Sequence, residues 1–320
     1  MLEINQTCAV QTGCFAGDTA GLPVTIATAG SYRLTSNLVV PNENTDGILI
    51  AAPSVSIDLA GFEIVRASCA GSTFICTPTS GSGSGVRPLD LGQGASVRNG
   101  SITGMGLHGV LLGVQAQVAN VRVRWNRMTG IFVGEGSTVS GNTAYQNGGP
   151  GIAVTDDSMV SGNASAQNGS FGILAANGST ISGNTARSNG GSGIRCQQNN
   201  VVEGNTVGLN LAGGIEAGYL AHVVDNSLDG NAGTGIAASD GSSIIRNTVG
   251  AITPTFAGHP GITCGAGCAV FDNLVRNTSQ AMTLGAGSRY GRNVLSLSPN
   301  PAVTGGGVSA QDNLCNGASC

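Results

Sequence analysis

The sequence predicts an all-β chain of a single domain, a right-handed parallel β-helix of about twelve coils whose short strands wind around one long axis. Three observations carry that prediction. A 21-residue period runs unbroken through the centre, the repeating positions alternate with the two-residue spacing of strands, and Gly, Asn, Ser and Thr fill the gaps in place of helix formers. Composition agrees: of 320 residues 53 are glycine, 40% are hydrophobic and 9% are charged. The apolar share can build a core, and a net charge of -4 is too small to sustain disorder.

The period is clearest in a glycine column, Gly109, Gly130, Gly151, Gly172, Gly193, Gly214 and Gly235, each followed by Ile or Val. Two residues after the first apolar column (Val110 to Ile236) stand Leu112, Val133, Val154, Ala175, Cys196, Ala217 and Ala238, so both sets face inward. Val118 to Ile244 and Val123 to Val249 supply two further inward columns, giving three strands per coil. Two asparagine columns, Asn142 to Asn247 and Asn126 to Asn231, share the period and are expected to stack their amides at left-handed turns. At about 4.8 Å per coil the rod would be roughly 55 Å long.

The organisation expected from these columns is an N-terminal cap over 1–30, the solenoid over 31–300 and a C-terminal cap over 301–320. Insertions over 67–84 and 251–260 interrupt the period. Loops added to one edge of a solenoid usually lie on its working face.

Eight of the nine cysteines fall as close neighbours: Cys8 with Cys14, Cys69 with Cys76, Cys264 with Cys268, and Cys315 with Cys320. Zinc would want tighter pairs or clustered histidines, whereas His108, His222 and His259 are scattered. Local disulfides and an oxidising compartment follow. Cys196 is left over in an inward column and reads as a small buried hydrophobe. No apolar run reaches the roughly 18 residues of a membrane span, and the chain reads as secreted, periplasmic or surface-bound with its signal peptide already removed. A pI near 5.3 gives no footprint for nucleic acid. A monomer or a loose oligomer is expected.

The strings Ser140-Gly141-Asn142-Thr143 and Ser182-Gly183-Asn184-Thr185, with the Gly-Ile and Asn-Gly-Gly steps around them, resemble the right-handed parallel β-helix repeat family of the pectate-lyase-like superfamily. The resemblance covers nearly all of 24–313. It implies a scaffold whose members cleave, epimerise or bind acidic polysaccharides, or act as adhesins and spikes. The motifs of its enzymes are not reproduced. Asn44-Thr45-Asp46-Gly47 is similar to the first polygalacturonase motif, but Asp46 and Asp156 stand some five coils apart, about 24 Å, which is too far for one glycosidic bond. The Asp-Pro signature of alginate epimerases is absent, and all thirteen basic residues are arginine, so a lysine base is excluded.

Candidate functional residues come from outward columns. Arg124, Arg127 and Tyr145 are the candidates for catalysis, with Trp125, Phe132, Arg122 and Arg187 as a surface for a sugar ring or its carboxylate. Glu135, Asp156 and Asp157 share neighbouring coils, and three carboxylates about 5 Å apart would suit Ca²⁺. Arg195 and Glu216 read as a cross-strand ion pair. Two functions are therefore expected: binding of an acidic polysaccharide with lyase-like cleavage by β-elimination, or a non-enzymatic surface rod presenting its inserted loops.

Overall fold

A computed structural model describes residues 1–72, 76–90, 94–250, 259–296, 302–310 and 312–319. The chain divides into two compact units, Met1–Gly169 and Ser170–Cys320. Each is a parallel β-solenoid. In the first, the strands Val24–Ile26, Ile48–Ile50, Val86–Pro88, Val110–Leu111, Ile131–Val133 and Ile152–Val154 pair in that order, one per coil. The second stacks Ile173–Ala175, Ile194–Cys196, Ile215–Ala217, Ile236–Ala238, Pro260–Cys264, Gln280–Leu284 and Val303–Gly305 in the same way. Remaining strands, such as Thr138–Ser140 and Thr143–Tyr145 in the first unit, pair parallel from coil to coil, while Leu314–Cys315 and Ala318–Ser319 at the end of the second unit pair antiparallel. Helix is confined, among the described residues, to Gln6–Gln11, capped by the Asn5 side chain, and a single turn at Ala67–Cys69.

Alternation predicted the burial. Ile131, Ile152, Ile194, Ile215 and Ile236 are all fully buried, as are Val118, Val139, Val160 and Val202. The glycine column has a steric cause rather than a turn. A Cβ on Gly130 would stand 2.6 Å from the carbonyl oxygen of Gly151, and one on Gly214 would stand 2.5 Å from that of Gly235, so side chains are excluded where coils approach most closely.

The asparagines form hydrogen-bonded ladders. In the first unit Asn126 Nδ2 donates to Asn147 Oδ1 at 2.9 Å, and Asn147 passes the pattern to Asn168 at 3.0 Å. In the second, the ladder Asn184, Asn205, Asn226, Asn247, Asn273, Asn293, Asn313 runs at 2.9 to 3.1 Å per step. The expectation that these residues take left-handed backbone is corrected. The positive φ belongs to the residue before each, Gln146 (53°), Gly141 (65°) and Gly204 (63°) among them, which turns the corner so that the following amide points inward.

Disulfides join Cys8 to Cys14, Cys69 to Cys76 and Cys264 to Cys268. Cys315 is disulfide-bonded as well, while Cys320 lies outside the described residues, as do 251–258 of the second insertion and 301 of the expected cap. Cys196 is free and buried. Burial pushes its thiol up to about 12, only partly opposed by the Gly218 backbone N–H.

Candidate functional site

The residues first expected to form a cleft occupy several places. Arg124 and Tyr145 share one column of the third strand of the coil, in register on adjacent coils. Arg124 is already engaged: Nε donates to Thr103 Oγ1 at 3.2 Å, and an Nη lies 3.5 Å from the Glu63 carboxylate, which also accepts from Thr103. Its guanidinium lies 4.4 Å from the centre of the Trp125 ring. Trp125 is 5% exposed, with its indole N–H on Gln146 at 2.8 Å, so the predicted sugar platform is corrected to a covered corner residue. Arg127 donates to the Gly106 carbonyl at 2.8 Å, and Tyr145 to Gln167 at 2.9 Å.

Phe132 lies on the first strand, away from that column, with its ring 6.0 Å from His108. Arg122 remains exposed beside a hollow of about 300 Å³ with Ser101 and Thr143, its column neighbours on the adjacent coils, and it engages no carboxylate among the described residues. Arg187 is exposed on Thr185–Arg187, in the second unit.

The carboxylates expected to hold calcium do not form a metal set. Glu135 and Asp157 are exposed turn residues, and Asp157 has left-handed backbone (φ 53°). Among the described residues no three His, Cys, Asp or Glu come together to hold an ion.

The second unit carries a concave surface that the reading of charges and aromatics in 122–145 missed. Two hollows, of about 520 and 460 Å³, share Glu216 and Ala237 in their lining and together form a trough across the first-strand sheet. Arg195 and Glu216 lie opposite one another on its floor, 3.7 Å apart, as their shared column predicted. Arg195 also lies over the Phe171 ring at 5.2 Å, and the Ser192 hydroxyl donates to Glu216.

Tyr219 and Leu211 stand at the two ends of the trough, 51% and 69% exposed. The coil that supplies them also exposes Leu209 and Leu220, both with positive φ, a conformation that costs a bulky side chain energy. Adjacent coils place Ser188 and Gly230, Gly190 and Ala232, Gln198 and Asp240, and Asn199 and Gly241 at the corresponding positions. Four large side chains flanked on both adjacent coils by small or polar ones were therefore a signal readable in the sequence.

Residues 108–249 match the family model described as a right handed beta helix region. The repeat is that of a right-handed β-helix. No curated protein sequence matches the chain. Among solved structures, this β-helix is similar to the A-module of an Azotobacter vinelandii mannuronan C-5 epimerase, at a TM-score of 0.56 and 16% identity over 90% of this chain and 87% of the other. It is also similar to the tailspike protein of E. coli bacteriophage HK620 in complex with a pentasaccharide, at 0.61 and 11% over 82% and 60%. A third is the catalytic domain of a GH87 alpha-1,3-glucanase in complex with tetrasaccharides, at 0.54 and 11% over 98% and 70%. At such identities the likeness is one of fold.

Proposed function

We propose that this chain is an extracytoplasmic β-helix protein that binds a polysaccharide in the trough of its second unit. The observation that carries the reading is the coil 209–220, which places the exposed Tyr219 and Leu211 in the lining of a concave surface that also holds an arginine and a carboxylate. Exposed apolar surface rimmed by polar groups marks a binding site, and an aromatic face beside paired donors and acceptors suits a sugar ring. The saccharide-bound neighbours on the same fold support the ligand class, and the disulfides support an oxidising compartment.

A glycan array followed by calorimetry tests it. Wild type should retain at least one polysaccharide, and Tyr219→Ala should weaken it by about tenfold, the loss of one stacked ring. An empty array would favour the alternative of a non-enzymatic surface rod, and unchanged binding in Tyr219→Ala and Leu211→Ala would move the site elsewhere.

A second reading, binding of an acidic chain with cleavage by β-elimination, is favoured by one observation: the uncompensated Arg122 in its hollow between Ser101 and Thr143. Its test is the ultraviolet absorbance of an unsaturated uronate on incubation with alginate or pectate, with and without Ca²⁺. Product formed by wild type and lost in Arg122→Ala would establish it, and no product from either polymer would remove it.

A further inference from the structure

We infer that the trough takes a neutral stretch of polysaccharide in preference to a uronic or sulfated one, an inference that rests on the binding role proposed above. Among the described residues, Arg195 and Glu216 are the charged side chains of its lining, with His259 at one margin. They cancel one another. Arg195 has Glu216 at 3.7 Å and the Phe171 ring beneath it, while Glu216 is further held by the Ser192 hydroxyl. A carboxylate or sulfate seeking Arg195 would have to displace Glu216 or sit against a like charge.

A neutral sugar meets no such obstacle. The pair presents an acceptor beside donors, the arrangement that adjacent sugar hydroxyls satisfy, since each hydroxyl both donates and accepts. The ring can lie on Tyr219, and Leu211 at the opposite end offers an apolar face to the C–H side of a neighbouring residue. Ala237, a small side chain beside Glu216 on the next coil, leaves room for the chain to continue along the axis.

The test is calorimetry on the full chain with hexaoses of glucose (β-1,4 and β-1,3) and mannose set against hexaoses of mannuronate, guluronate and galacturonate. Wild type should bind a neutral hexaose at least about tenfold more tightly than any uronate, with little dependence on salt. Glu216→Gln keeps the size of the side chain and frees Arg195 of its counter-charge. It should weaken the neutral ligand several-fold and strengthen the uronates, in a manner that salt suppresses.

Tighter uronate binding by wild type, lost in Tyr219→Ala, would overturn this inference and leave trough binding standing. So would a Glu216→Gln variant, folded by circular dichroism, that gained nothing for uronates. Failure of wild type to bind any hexaose, or binding indifferent to Tyr219→Ala, would overturn the binding role itself.

Discussion

Arg195 and Glu216 face each other across adjacent parallel strands, with Nε of the arginine 3.7 Å from a carboxylate oxygen of the glutamate. Both side chains are substantially exposed, so water screens the pair and its contribution to stability should be about 0–1 kcal/mol. Arg195→Gln should therefore leave the urea midpoint nearly unchanged while weakening glycan binding several-fold. A large drop in midpoint with intact binding would assign the pair to folding instead.

The asparagine ladder predicts the opposite balance. Asn205 accepts from the side chain and backbone of Asn184 and donates to Asn226 and to the Ile181 carbonyl, all of them buried. Asn205→Ala strands these groups without water and should cost on the order of 3 kcal/mol. Exposed Thr206→Ala, one residue away, should stay within about 0.5 kcal/mol. Comparable urea midpoints for the two variants would contradict the ladder's role.

Acid should weaken the first unit through His108. Burial, aided by the charge of Arg127 and only partly opposed by the Thr129 backbone, holds its imidazole below the usual 6.5. Its buried Nδ1 has no hydrogen-bond partner among the described residues. The fold thus favours the neutral ring, and its contribution is fully present above 6.5 and lost as pH falls through the folded value. Unfolding free energy measured down this range should decline, and His108→Gln should flatten the decline; a slope the variant does not alter would remove His108 as its source.

Cys196 should resist alkylation. Its thiol is 5% exposed and pushed up to about 12, so little thiolate exists at neutral pH. Iodoacetamide should label it only in denaturant, and mass spectrometry after native incubation reads the outcome directly. Rapid native labelling would mean that the sulfur opens to the trough it lines.

Much of the fold was legible because its interactions repeat at one interval. Once Ile194 and Ile215 share a column, their burial, the alternation around them and the pairing of Arg195 with Glu216 follow from arithmetic. The three described disulfides were legible from spacing alone. Arg124 was misread because its partner Glu63 is 61 residues away, across the irregular coils that contain the 67–84 insertion, where counting by 21 does not lead. Whether the acidic turn gathers its carboxylates was not legible, because a column specifies height along the stack but not the direction in which a turn side chain leaves it. The trough depends on side-chain size: its signal was the pair Leu211 and Tyr219, large side chains where charge was being sought.

From Asn205 to Asn293, each amide of the second unit's longer ladder donates both to the asparagine of the next coil and to a backbone carbonyl of the coil before, and among the described residues the ladder's last member is Asn313. There Nδ2 turns back to Ser309 Oγ at 3.1 Å and the Tyr290 carbonyl at 3.5 Å. The stack thus has a polarity and a terminator, like a zip with a stop at one end. Evolution could insert or excise whole 21-residue modules upstream of that stop, lengthening or shortening the solenoid without redesigning either the hydrogen bonding or the end.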